Sequence, residues 1–218
     1  MLRIHDKNGN FISPAEAIPI LEESGLIIPV GKWIIQNAFS MCTECRKYYP
    51  EFRVSINLSY VQILKSPLMM ELKQIIEHSG ISCSGIIVEL TESGYLEGTP
   101  AVRSVWNDMK KLRIQIALDD FGTGYSNLMN ISNLEPDIVK LDRGFTLKAL
   151  SRSYEYQLMQ YVIEMVHKLN QYVCVEGVET KEDLEKIKAL GPDLIQGYYY
   201  SKPCSRDEFL KKFFGYSE

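Results

Sequence analysis

The chain has 218 residues, 45% of them apolar and 24% charged, with 24 basic against 28 acidic side chains. That composition excludes a disordered or low-complexity chain, and a formal charge of −4 excludes the basic stripe expected of a duplex-binding protein. No apolar run reaches the roughly 18 residues of a membrane span, since Lys32 interrupts the longest candidate, and Met1 to Asp6 carry no apolar signal-peptide core, so a cytoplasmic chain is expected.

The first helix opens at Ile12-Ser13-Pro14, where Ser13 is placed to cap, Pro14 suits the first turn and Glu16 completes a capping box; Gly25 ends it. A second helical pattern runs from about Val30 to Tyr48 and is stopped by Pro50. Phe52 to Leu58 reads as a strand, and Ser59 to His78 as a helical stretch broken near Pro67 and closed by Gly80.

From there strands and helices alternate. Gly85 to Leu90 is a buried strand, Thr99 to Leu112 a helix, and Ile114 to Asp119 a strand that leads into a glycine-containing loop and a short helical stretch. Asp137 to Leu141 is a strand, Ser153 to Asn170 an amphipathic helix, Tyr172 to Glu176 a strand and Lys181 to Leu190 a helix; Asp193 to Gln196 is a short strand before a last helix capped by Ser205. Such alternation means βα units and a parallel sheet. No linker and no sequence repeat divides it, so 1–218 reads as a single domain with six strands, and Met1 to Ile4 as the tail of a seventh. A (β/α)₈ barrel of about 250 residues would leave the chain slightly short.

Five cysteines at irregular spacing suit reduced thiols, and Cys42-x-x-Cys45 falls inside the second helix. His5, His78 and His167 show no metal-ligand spacing, so no zinc site is expected.

In α/β folds the chemistry gathers at the carboxyl ends of strands. Here those ends carry Asn57, Glu89, Asp119 with Asp120, Lys140 with Asp142, Glu176 and Gln196. Any one of them is explained by capping the next helix; six in succession are not. An oxygen-rich cluster without sulfur or imidazole suits a hard cation such as Mg²⁺ or Mn²⁺, and the adjacent Asp119 and Asp120 suit two ions used for displacement at phosphorus. Lys140 would hold the attacking water or neutralise developing charge, its bland alternative being a structural salt bridge to Asp142 or another carboxylate. A Schiff-base role is disfavoured, because nearby carboxylates keep an amine protonated.

The segments Ser55-Ile56-Asn57-Leu58-Ser59, Glu89-Leu90-Thr91-Glu92, Asp119-Asp120-Phe121-Gly122-Thr123-Gly124-Tyr125-Ser126, Lys140-Leu141-Asp142, Glu176-Gly177-Val178-Glu179 and Gln196-Gly197-Tyr198 with Pro203 closely resemble EAL domains, bacterial phosphodiesterases of cyclic di-GMP. The resemblance implies a TIM-like barrel that uses Mg²⁺ or Mn²⁺, two ions in the complete site, to hydrolyse cyclic di-GMP to linear pGpG. It implies Asn57, Glu89 and Asp119 as ligands of the first ion, Asp119 with Asp120 for the second, and Lys140 beside the catalytic water. Glu176 matches the general base or metal-associated carboxylate, Gln196 and Asp142 line the site, Arg3 contacts substrate phosphate, and Glu92 tethers the loop that couples the site to dimerisation. A homodimer, and an upstream sensory or GGDEF domain in a parent protein, are the implied partners.

The family's Glu-Ala-Leu-Leu-Arg strand is matched only at its end, by Met1-Leu2-Arg3. The barrel is therefore expected to lack about two N-terminal strands and the signature glutamate, with weak or no hydrolysis by the chain as written. A fragment, a natural short copy and self-association across the open edge would each account for this. The competing expectations are a non-catalytic cyclic di-GMP receptor or interaction domain, and another metal-dependent barrel.

Overall fold

The structure is a computed structural model that describes residues 3–91, 99–123, 131 and 134–215. Its contacts divide the chain into two compact units: Met1–Val88 with Gly98–Ile114 and Ser205–Glu218, and Glu89–Glu97 with Gln115–Cys204.

The first unit begins with a hairpin. Strands β1 (Ile4–His5) and β2 (Phe11–Ile12) pair antiparallel. The Asp6 carboxylate ties their turn by accepting from the Asn8 and Asn10 amides at 2.8 Å and from the Asn10 side chain at 2.9 Å. Ile4 therefore belongs to a hairpin strand and not to the tail of a barrel strand; two-residue strands are too short to show a period of two. Helix α1 (Pro14–Glu23) follows, its Ala15 amide donating to the Ser13 hydroxyl. Helix α2 (Ile27–Cys45) starts three residues earlier than its pattern suggested and buries Ile27, Gly31, Ile35, Phe39 and Cys42, a spacing of three and four that makes one face.

After β3 (Val54–Asn57), Pro67 separates α3 (Tyr60–Lys65) from α4 (Leu68–Ser79), because proline lacks the amide the continuous helix would need. The side chain of Gln62 on α3 lies so close to Gly31 that a Cβ there would meet its Nε2 at 2.1 Å, so a larger residue at that crossing would have to displace the buried Gln62 amide, whose Oε1 accepts from the Ser59 amide. Strand β4 (Ile86–Thr91) follows, then α5 (Pro100–Lys111), capped by Thr99 and burying Val102, Trp106 and Met109. The last helix, α9 (Arg206–Phe214), also belongs to this unit. Its Phe209 and Phe214 rings lie 6.0 and 6.2 Å from Phe52, and Arg206 pairs with Glu44.

The second unit holds β5 (Gln115–Phe121), β6 (Ile138–Leu141), α6 (Arg143–Ser151), α7 (Ser153–Lys168), β7 (Tyr172–Val175), α8 (Lys181–Lys188) and β8 (Leu194–Ile195). The sheet order is β3-β4-β5-β6-β7-β8, and the pairs β5–β6, β6–β7 and β7–β8 are parallel. Helix α6 departs from the sequence reading, which left 143–151 without an element. Gly144 and Thr146 are weak helix formers there, and Asp142, which starts the helix, also reads as a strand-end site residue.

Although the sequence reading found no repeat, the fold shows a short one. Leu134-Glu135-Pro136-Asp137 precedes β6, and Leu190-Gly191-Pro192-Asp193 precedes β8. In each, the aspartate brackets the start of the preceding strand. The Asp137 carboxylate accepts from the Ile116 amide at 2.8 Å while its own amide donates to the Ile116 carbonyl; the Asp193 carboxylate accepts from the Val173 amide at 2.8 Å and its amide donates to the Val173 carbonyl. The two devices give β6 and β8 the same register lock, and Glu135 and Gly191, at φ 45° and 73°, make the left-handed turn into each.

Candidate active site

At the carboxyl ends of β4 to β7 the second unit collects its charged side chains. Lys140, 5% exposed, is the third residue of a strand whose other members are all apolar. Its Nζ lies 2.8 Å from Glu89 Oε2, 2.9 Å from Asp119 Oδ1 and 2.7 Å from Glu176 Oε1. Three strands thus deliver carboxylates to one ammonium.

The tandem aspartates reach the site through a bulge. Leu118 pairs with Val139 and Phe121 with Leu141, so Asp119 and Asp120 together oppose the single residue Lys140. In an unbroken strand consecutive side chains point to opposite faces. Here the extra residue, Asp120 at φ 61°, turns the chain in a left-handed conformation that a non-glycine residue adopts only under constraint. Its carboxyl comes within electrostatic reach of Asp119, Asp142, Lys140 and Glu89.

Against the carboxylates of Glu89, Asp119, Asp120 and Glu176 stands, among the described residues, the Lys140 ammonium, and the imbalance shows in the proton affinities of Asp120 and Glu176. Burial pushes the Asp120 carboxyl above its ordinary value, and the adjacent Asp119 adds to it. Burial also raises Glu176, opposed by Lys140. Burial alone would lower Lys140, but Glu89, Asp119 and Glu176 together hold its ammonium above the usual lysine range. Three carboxylate oxygens within 2.9 Å favour the protonated ammonium over the neutral amine that a Schiff-base nucleophile needs.

The remaining sequence-predicted residues divide. Asp142 caps α6, accepting from the Gly144 amide at 2.7 Å. Gln196, exposed, follows β8, with its amide donating to the Val175 carbonyl. Asn57 is the exposed last residue of β3 in the first unit, and Arg3, in the same unit, places its guanidinium 5.3 Å from the Phe11 ring centre. Glu92 and residues 124–130 of the Asp-Asp-Phe-Gly loop lie outside the described residues.

The donor set fits a hard divalent cation. Its oxygens are carboxylate, their charge exceeds that of Lys140, and buried Asp119 Oδ1, although 2.9 Å from the ammonium, has no aligned hydrogen-bond donor among the described residues. Among the described residues no three acidic, histidine or cysteine side chains are already arranged about a common point as ligands; Glu89, Asp119 and Glu176 converge on Lys140 instead.

Sequence reasoning missed Arg143, at the start of α6, which pairs with Glu179 across the strand ends. The available signal was Gly177 beside Glu179, a glycine needed where another side chain presses on the backbone.

A parallel βα sheet with a buried lysine ringed by strand-end carboxylates places the chain in the α/β class. The sequence profile of the EAL domain matches residues 1–203, and the chain belongs to that family. It is 35% identical over 206 residues to protein y4lL of Sinorhizobium fredii, covering 94% of this chain and 24% of that protein. It is 31% identical to the cyclic di-GMP phosphodiesterases PdeF and PdeR of Escherichia coli, covering 93% of this chain and 27% and 31% of theirs. The chain therefore spans about a quarter to a third of these relatives' length. Among solved structures, the EAL enzyme Bd1971 in its cAMP-bound form superposes with a TM-score of 0.90 at 30% identity, covering 97% of this chain and 60% of that one. The PaMucR phosphodiesterase complex with c-di-GMP superposes at 0.88 and 26% identity, covering 96% and 85%. The fold is accordingly the TIM-like one of EAL domains.

Proposed function

We propose that the chain is an EAL-type cyclic di-GMP phosphodiesterase domain, built to open one phosphodiester bond with water to give linear pGpG, with only weak hydrolysis by the chain as written. The observation that carries this reading is the Lys140 ammonium held between Glu89, Asp119 and Glu176, in a family whose relatives PdeF and PdeR are named for that activity. Glu89, Asp119 and Asp120, with Asn57, would hold the divalent cations. Mg²⁺ or Mn²⁺ bound there would polarise phosphoryl oxygens and raise the acidity of the attacking water.

Lys140 keeps its proton throughout and acts as a fixed cation that orients the water and offsets charge on the phosphoryl group. Glu176 receives the water's proton; its raised proton affinity brings it nearer the range where a carboxylate is an effective base. Gln196 and Arg3 are the substrate contacts of this reading, Asp142 sets the start of α6 within electrostatic reach of Asp120, and Glu92 is assigned to coupling the site to dimerisation.

The domain acts within a longer cytoplasmic protein, alongside sensory or GGDEF modules. It pairs with a second copy, for which the exposed Tyr154, Leu158 and Tyr161 on α7 offer apolar surface.

Chromatographic assay of cyclic di-GMP with Mg²⁺ or Mn²⁺ tests the function. Accumulation of pGpG that is lost in Glu89→Gln supports it. Binding without turnover transfers the chain to the receptor alternative.

A further inference from the structure

Arg143 and Glu179 flank the site without entering it. Arg143 follows Lys140 by three residues, and Glu179 follows Glu176 by three. The Arg143 Nε and Nη2 both donate to Glu179 Oε1, at 3.2 and 2.8 Å. With side chains 57% and 39% exposed, the pair is screened by solvent and contributes little to stability.

What the pair does is cover Gly177. This glycine has φ 80°, and a Cβ on it would lie 2.3 Å from Arg143 Cγ, 2.8 Å from Arg143 Cβ and 3.1 Å from Arg143 Cα. The arginine stem therefore rests on the backbone that turns immediately after Glu176. On the other side, the Glu176 amide donates to the Leu141 carbonyl at 3.1 Å. The segments 141–143 and 176–179 are thus closed into a small ring, with a backbone hydrogen bond at one end, the ion pair at the other and the stem against glycine between them. The 2.7 Å contact of Glu176 with Lys140 leaves directly from that ring.

We propose that Arg143 and Glu179 are a positioning pair that keeps the ends of β6 and β7 in register, so that the Glu176 carboxylate stays aimed at Lys140 and the reacting phosphoryl group. The proposal rests on the phosphodiesterase reading for its catalytic consequence. The stem and the charge have separate tasks: the stem packs on Gly177 and the guanidinium reaches Glu179. Arg143→Lys preserves most of the first and part of the second.

The experiment uses the full chain with Mn²⁺ and cyclic di-GMP, comparing Arg143→Ala, Glu179→Ala, the double variant and Arg143→Lys. Misplacing a reacting group by a fraction of an ångström to one ångström lowers turnover by roughly 10- to 100-fold. A kcat loss of that size is expected for each alanine variant, with KM within about twofold of wild type and an unchanged thermal midpoint. The double variant is expected to be no worse than either single one, since both break one unit, and Arg143→Lys should recover most of the rate. An unchanged kcat, additive losses, or a loss that follows the thermal midpoint would overturn the proposal.

Amide hydrogen exchange over residues 176–179, measured on the same variants, reads the pair without turnover. Faster exchange in Arg143→Ala is expected, and unchanged exchange overturns the positioning role. A wild-type chain that shows no turnover, while its variants exchange faster, removes the phosphodiesterase reading and leaves the positioning role standing.

Discussion

Cys174 stands opposite Lys140 in the β6–β7 ladder, so a thiol and the lysine stem share one face of the sheet. Burial pushes that thiol up to about 12, with the nearby carboxylates adding to the rise and Lys140 opposing it. Only the thiolate is a good nucleophile, so at pH 8 this thiol is held in its unreactive protonated form. Cys45 is pushed up to about 11 by burial, and Cys42 is raised as well, whereas Cys204 is exposed. Iodoacetamide at pH 8 should label Cys204 first and leave Cys42, Cys45 and Cys174 unmodified until the chain unfolds. Labelling of Cys174 in the folded protein at the rate of Cys204 would contradict this account of the site's interior.

Removing the ammonium should be severe. In Lys140→Met the carboxylates of Glu89, Asp119 and Glu176 lose their shared partner inside the protein, a change that costs about 3–5 kcal/mol. Urea denaturation at pH 7 should show the loss. It should shrink as pH falls, because Glu176, whose carboxyl burial already raises and which Lys140 no longer opposes, takes up a proton in the folded state before it does in the unfolded one. Saturating Mn²⁺ should recover part of it. A midpoint equal to wild type at pH 7 would refute the buried-cation role.

Asp120 combines two costs, a left-handed backbone and a carboxyl raised by burial. Asp120→Asn keeps a side chain that tolerates the backbone and removes the charge. Because the folded pKa lies above the unfolded one, the charged carboxyl penalises the folded state at pH values above it, and the penalty fades as pH falls through it. The variant should be modestly stabler than wild type at pH 7.5, the partial exposure of the carboxyl keeping the gain small, with the gain vanishing in the acidic range. Greater stability at low pH than at pH 7.5 relative to wild type would reverse the sign and defeat the argument.

The two register locks predict matched losses. Asp137→Ala and Asp193→Ala strip the acceptors from the Ile116 and Val173 amides, both on residues with 0% exposure. A buried donor left without its acceptor costs about 1–3 kcal/mol. Asp193 also pairs with His167 at 2.8 Å, so His167→Ala separates that contact from the strand bond. The His167 change should cost less than Asp193→Ala; equal costs would mean that the surface pair, not the strand amide, is what Asp193 serves.

Much of this architecture is legible in the residues themselves. Thr99-Pro100, Ser205 and Gly80 mark helix ends that the structure keeps, and the strand-end carboxylates Glu89, Asp119 and Glu176 meet at Lys140 as their positions suggested. The bulge was not legible, because a period of two sends Asp119 and Asp120 to opposite faces and nothing in the two letters announces a positive φ at a non-glycine residue. Helix α6 was hidden by Gly144 and Thr146, and by the double use of Asp142, a site-side residue that also caps. The Arg143–Glu179 pair was invisible because it joins residues 36 positions apart that only the parallel register of β6 and β7 brings together.

That register also bears on how the chain finds its fold. Ala117 pairs with Ile138, Ile138 with Tyr172, and Cys174 with Leu194, so every described ladder from β5 onward joins strands that follow one another in sequence. Each closure spans only a few tens of residues, and its entropic cost grows slowly with that length. This half of the sheet can assemble by successive addition of neighbouring strands, without a distant partner having to arrive first. In such a scheme the Asp137 and Asp193 locks act as ratchets, each holding one strand's start before the next is added.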